Sequence, residues 1–260
     1  MPRLNLEPFE AHLASLKTPE EFLQYRDALI HQFARGQDSH HLMSDSIWHR
    51  RVPASVKRTF HRFLAVSHVW QAVEHKRVEN HDAAGTSFFS AAKNYGKAGT
   101  SFLEAHLDAW SNFCYHLERS RARTGTDNFT HLNRLADAIH SVSRLSFEGG
   151  RAGELLHRFS SLHSICTARL FQEVRPNFHF LRVRLPLYRL AGHVRLEERA
   201  WHDILAYVAG SPAYLSGYWC PDLKTELRKS KLPREVKARL SRRLVFLAKR
   251  AAVHPSKKGV

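Results

Sequence analysis

Residues 18–36 read TPEEFLQYRDALIHQFARG. Thr18 followed three positions later by Glu21 is a capping box, in which each side chain satisfies a backbone N–H that an isolated helix start would leave open. Pro19 occupies the first helical position, where its missing N–H removes nothing. Phe22, Leu29, Ile30 and Phe33 then fall on one face, and Gly36 supplies a stop. The spacing predicts an amphipathic helix, and the same 3.6-residue period recurs along most of the chain.

After Pro53, the set Val56, Phe60, Phe63, Leu64, Val69, Trp70 and Val73 predicts a second helix ending before Asn80, with polar Gln37 to Ser46 between the two. The hexapeptide AGTSFF at 84–89 recurs fourteen residues on as AGTSFL at 98–103. Each copy reads as a helix start, with glycine breaking the chain and a hydroxyl residue to cap, and Ser101 with Glu104 forms a second capping box. Further helices are predicted at about 101–122, 129–146, 151–173 and 196–208, divided by Gly125-Thr126-Asp127, Gly149-Gly150 and Pro176. Asn177 to Leu187 reads either as a minor β-hairpin within 177–190 or as a helical turn, because FHFLRVRL mixes aromatic and β-branched residues. A Gly-, Pro- and Tyr-rich loop is expected up to Pro221, and a last helix from Pro233. The fold class that follows is all-α, a multi-helix bundle with short loops.

The chain has 260 residues, 43% of them apolar, which is ample for a packed core. Its net charge is +16, and that surplus is unevenly placed. From Arg175 to Val260 there are 19 Lys and Arg against 6 Asp and Glu, a balance of +13, whereas residues 1–174 carry 21 against 18. Two regions are therefore expected: a near-neutral helical bundle over 1–174, serving core and assembly, and a basic helical region over 175–260 that meets a polyanion. Arginine exceeds lysine 28 to 12, and its planar fork suits phosphate and stacking.

The last helix carries the sharpest pattern. At about 100° per residue from Val236, Leu240, Leu244, Leu247 and Ala251 fall within about 80°, while Arg239, Arg242, Arg243, Lys249 and Arg250 occupy the arc from about 220° to 340°. No acidic residue follows Glu235 on that helix. Arg182, Arg184, Arg189, Arg195 and Arg199 alternate with Phe178, Phe180 and Tyr188, and Tyr214, Tyr218 and Trp219 follow. Cations that track phosphates, interleaved with rings that stack bases, are what single-stranded nucleic acid needs. The nucleic-acid-binding candidates are Arg182, Arg184, Arg189, Arg239, Arg242, Arg243, Lys249 and Arg250. The expected partner is RNA or another polyanion, bound through its backbone with little sequence preference. A nucleoprotein or packaging component, homo-oligomeric or joined to other ribonucleoprotein components, fits that description. A peripheral, matrix-like protein using the same face on acidic lipid is the alternative without RNA.

Nineteen histidines raise the question of catalysis. Arg26 to His31, with Asp27 after the arginine and Phe33 two after the histidine, resembles the Arg-x4-His motif of HEPN-type ribonucleases over about nine residues. The same spacing recurs at Arg35–His40 and Arg158–His163 and is common in a chain this rich in both types. The resemblance implies metal-independent RNA cleavage, with Arg26 stabilising the phosphorane charge and His31 moving the proton. No His-Glu-x-x-His or Cys-x-x-Cys is present, and Lys97 is followed by alanine where a phosphate loop needs Ser or Thr. Neither a metal nor a cofactor is expected, and binding is favoured over catalysis. Cys114, Cys166 and Cys220 are odd in number and far apart, which points to a reducing intracellular compartment. The N-terminus lacks the apolar run of a signal peptide, and no segment is apolar enough to span a bilayer. For the ribonuclease alternative, His31→Ala is expected to abolish cleavage of labelled RNA in EDTA and to leave RNA binding intact.

Overall fold

The computed structural model describes residues 6–34, 44–120, 125–145 and 150–253, with side chains described except at 34, 44, 125–128 and 251–253. The stop at Gly36, the Arg35–His40 pair and the glycine at 149 lie outside the described residues. Among the described residues the chain is helical throughout, without a strand: α1 (Glu7–Ser15), α2 (Pro19–Ala34), α3 (Ser44–Arg50), α4 (Ala54–Arg77), α5 (His81–Ala98), α6 (Leu103–Arg119), α7 (Gly125–Val142), α8 (Gly150–Leu170), α9 (Phe178–Leu190), α10 (Val194–Gly210), α11 (Ala213–Lys229) and α12 (Arg234–Val253). A single 3-10 turn, Thr100–Phe102, precedes α6. The all-α bundle is therefore the fold, divided into two compact units: Met1–Ala122 with Glu148–Leu155, and Arg123–Phe147 with Leu156–Val260.

In the first unit the capping box forms as spaced. Glu21 N donates to Thr18 Oγ1 at 3.3 Å, and Glu21 Oε2 accepts from the backbone of Thr18 and of Lys17, at 3.3 and 2.7 Å. Those backbone donors hold the Glu21 carboxyl below its ordinary range. Phe22, Leu29 and Ile30 from α2, Ile47 and Trp48 from α3, and Val56, Phe60 and Leu64 from α4 make one apolar cluster, closed by Leu13 of α1. Beyond it α4, α5 and α6 pack in sequence. On α5 the buried residues Ala84, Phe88, Ala91, Tyr95 and Ala98 recur at alternating steps of four and three, the seam of a coiled coil, with small residues allowing close approach.

The joint between α4 and α5 is a Schellman motif. Glu79 N donates to Lys76 O and Asn80 N to His75 O, and Asn80 then caps α5 by accepting from Ala83 N at 3.1 Å. Glu79 takes φ 54°, a left-handed conformation that glycine usually fills. The first copy of the duplicated hexapeptide is not a helix start, since it continues inside α5. Only the second breaks the chain, at Gly99 with φ 116°. Ser101 is not the cap of α6; Phe102 holds that position without a side-chain hydrogen bond.

The second unit corrects two further expectations. Residues 177–190 form no hairpin: Asn177 caps α9 by accepting from Phe180 N at 2.8 Å. Phe180, Leu181, Leu185 and Tyr188 then bury one helical face. The apparent strand pattern also satisfies a helical spacing, and a cap decides between them. The expected loop up to Pro221 is instead most of α11, and only Ser211-Pro212 connects it to α10. Pro221 sits inside α11, leaving the carbonyl of Gly217 without its usual helical partner. Trp201, Ile204 and Leu205 of α10, Cys220 and Leu223 of α11, and Leu240, Leu244 and Leu247 of α12 are buried.

Several histidines belong to these cores. His106 Nδ1 bonds the Ala92 carbonyl at 2.8 Å and its Nε2 accepts from Trp110 Nε1 at 3.2 Å, so the neutral ring has both nitrogens satisfied. His163 bonds the Leu135 carbonyl at 3.2 Å. Burial pushes His106 and His61 down to about 4 and His163 to about 3; burial, with His81, Lys76 and Arg119 adding to it, takes His116 to about 4. An unfolded chain with histidines at the ordinary 6.5 takes up more protons than the native one as pH falls toward 4. Stability is thus full above pH 6.5 and declines through that window. The expected result is a melting temperature that is highest at neutral pH and drops steadily in scans toward pH 4; a flat profile contradicts it.

Candidate nucleic-acid interface

The helix α12 is fixed by Leu240, Leu244 and Leu247, each at most 2% exposed, which sets its rotation and turns the arginine arc outward. Both ends of that arc are tied to α10. Arg239 donates to Glu198 Oε1 at 2.5 Å. Arg250 donates to the carbonyls of Ala209 and Ser211, at 2.6 and 3.5 Å. Those carbonyls close the C-terminus of α10, where unsatisfied acceptors and the helix dipole favour a cation. Between the ties, Arg242, Arg243 and Lys249 are exposed with no carboxylate in salt-bridge reach among the described residues.

At the centre of this arc stands Phe246, 68% exposed. Arg242 and Arg243 lie four and three positions before it and Lys249 three after, so all three neighbour the ring on the helix surface. The wheel that finds the basic arc places Phe246 at about 280°, inside it. Reading only the charges on that face leaves the ring unnoticed.

The remaining candidates are turned inward or paired. Arg182 pairs with Asp222 at 2.9 Å. Arg184 is 5% exposed, pairs with Asp203 at 3.0 Å and lies over the Phe171 ring. Arg189 sits between Glu226 at 3.2 Å and Glu197 at 3.5 Å. Burial raises the Glu226 carboxyl, but hydrogen bonds from Lys229 and Arg189 outweigh that and hold it below its ordinary range. Most of the interleaved rings pack against one another or in the core. Phe178 stacks on Trp219 at 4.4 Å beside Tyr207, and Phe180 and Tyr188 are buried, whereas Tyr214 and Tyr218 remain exposed.

The Arg-x4-His motifs are separated by their surroundings. Arg26 pairs with Asp45 and covers the Trp48 ring at 5.1 Å, lining a cleft of the first unit. His31, about 140° further round α2, is exposed and outside that lining. His163 is a core residue whose pKa, about 3, is far from that of a general base at neutral pH. Among the described residues, no group of three or more His, Cys, Asp or Glu is placed to hold a metal, and no helix is long and apolar enough to cross a membrane.

Comparison with known proteins returns no matching family model, no matching curated protein and no matching solved structure, so the functional reading rests on these residues. The structural division among the arginines has a direct measure. Arg189→Ala strips buried Glu197 of its cation and leaves Glu226 with Lys229 alone, and is expected to cost about 3 kcal/mol in urea unfolding. Arg242→Ala and Arg243→Ala are expected to stay within about 0.5 kcal/mol of the parent.

Proposed function

We propose that the chain binds RNA through the outer face of α12, by phosphate contacts and base stacking with little sequence preference. The observation that carries this reading is an exposed phenylalanine, Phe246, set among Arg242, Arg243 and Lys249 with no carboxylate in salt-bridge reach of them among the described residues. Three outward cations release counterions when they meet phosphates, and that release drives association at low salt. A flat ring between them takes an unpaired base, adding about 1 to 3 kcal/mol without discriminating its identity. Splayed bases are offered by single strands and loops, which favours RNA over duplex DNA. Such a protein serves as a packaging or ribonucleoprotein component in a reducing compartment, with further copies or partner chains alongside.

Anisotropy of a labelled single-stranded RNA, titrated at several salt concentrations, tests the reading. The logarithm of the association constant should fall linearly with log salt. Replacing Arg242, Arg243 and Lys249 together by alanine should flatten that slope by about 2. Phe246→Ala should weaken binding about tenfold and leave the slope unchanged. A slope near zero, or triple and Phe246 variants that bind as the parent does, overturns the proposal. Flotation with anionic but not neutral vesicles, in the absence of RNA binding, assigns the face to lipid instead.

A further inference from the structure

The first unit holds a cleft of about 720 Å³ between α2, α3, α4 and α5. That volume lies in the range of sites that engulf a nucleotide-sized molecule. Five cations line it, Arg26, Lys57, Arg58, Lys93 and Lys97, against one carboxylate, Asp45. Arg26 consumes Asp45. Lys57 donates one of its three protons to the His49 carbonyl at 2.9 Å and keeps the others. Arg58 and Lys97 have no anionic partner within salt-bridge reach among the described residues. Partial burial, with Lys93 and Arg26 nearby, lowers the pKa of Lys97 against the opposing pull of Asp45, which marks cations held close together in the cleft.

The walls are not purely basic. Leu23 and Phe89 also line the cleft, over buried Phe60 and Leu64, giving apolar surface that a bare phosphate would not use. His61 is locked by a 2.8 Å hydrogen bond from its Nδ1 to Asn94 Oδ1, and Asn94 is fixed in turn by donating to the Ser90 carbonyl at 2.9 Å. With the proton on Nδ1, the ring is neutral and presents Nε2 as an acceptor. A cluster of cations, an apolar wall and an oriented neutral acceptor in one cleft match a ligand with a polyanionic end and a flat, hydrogen-bonding end.

We infer that this cleft binds a nucleoside polyphosphate, with the phosphates against Arg58, Lys93 and Lys97 and the nucleoside against Phe89 and His61. The site belongs to the first unit alone and does not rest on the α12 reading. Cations outnumber carboxylates in its lining, so a polyanionic ligand offsets their mutual repulsion.

Isothermal titration of the full chain with ATP in EDTA, with adenosine and with inorganic tripolyphosphate tests it. ATP should bind at least about tenfold more tightly than either part. Lys97→Ala and Arg58→Ala should each weaken ATP about tenfold, the loss of one charge-assisted contact, while their melting temperatures stay with the parent. The Arg242→Ala/Arg243→Ala variant should bind ATP unchanged, which separates this cleft from the face of α12. ATP no tighter than tripolyphosphate, affinity insensitive to Lys97→Ala and Arg58→Ala, or a loss seen only in the α12 variant would each overturn the assignment.

Discussion

The Arg189 guanidinium, held between the carboxylates of Glu197 and Glu226, joins α9, α10 and α11 at a point from which water is largely excluded. Taking three charges out of water is expensive, and the arrangement holds only because each has an opposite neighbour. That requirement governs where the surplus of a +16 chain can go. Cations near the interior of the second unit must be matched, as Arg184 is by Asp203 and Arg182, closer to the surface, by Asp222. Those without a match are pushed to where solvent or a ligand compensates them. The outer face of α12 follows from that sorting: its interior-facing leucines fix the helix, its end arginines find acceptors on α10, and the middle meets no carboxylate among the described residues.

Much of the fold was legible because helix punctuation is local. Thr18, Pro19 and Glu21 announce α2 through contacts within four residues, and the structure reproduces them. The misreadings arise where two local signals compete. FHFLRVRL carries strand-forming residues, yet Asn177 caps it and its apolar positions also align on one helical face. Gly210, Pro212, Gly217 and Pro221 all look like breakers, but only the first two mark a helix boundary, because α11 packs along α12 and that contact outweighs the hydrogen bond lost at Pro221. The two hexapeptide copies are nearly identical, and tertiary packing of α5 on α6 keeps the first one helical.

The candidate sites were less legible, and for a physical reason. A helical wheel shows which side chains leave a helix outward, but not which of them meet a carboxylate on another element. Glu198 lies 41 positions from Arg239, and Glu226 lies 37 from Arg189, so no window finds those pairs. The cleft of the first unit is assembled from Arg26, Lys57 and Lys97, drawn from three helices, and nothing in any one segment announces it. Phe246 is the exception, since the same wheel contains it.

The ties at Arg239 and Arg250 have a consequence of scale. They stand eleven positions apart on α12, a distance of about 16 Å at 1.5 Å per residue. An RNA strand bound there as proposed would meet the face with only a handful of nucleotides, so one molecule would cover little of a long polymer. Dense coverage would then demand many copies shoulder to shoulder, with spacing along the strand dictated by the width of the protein and not by the sequence beneath it.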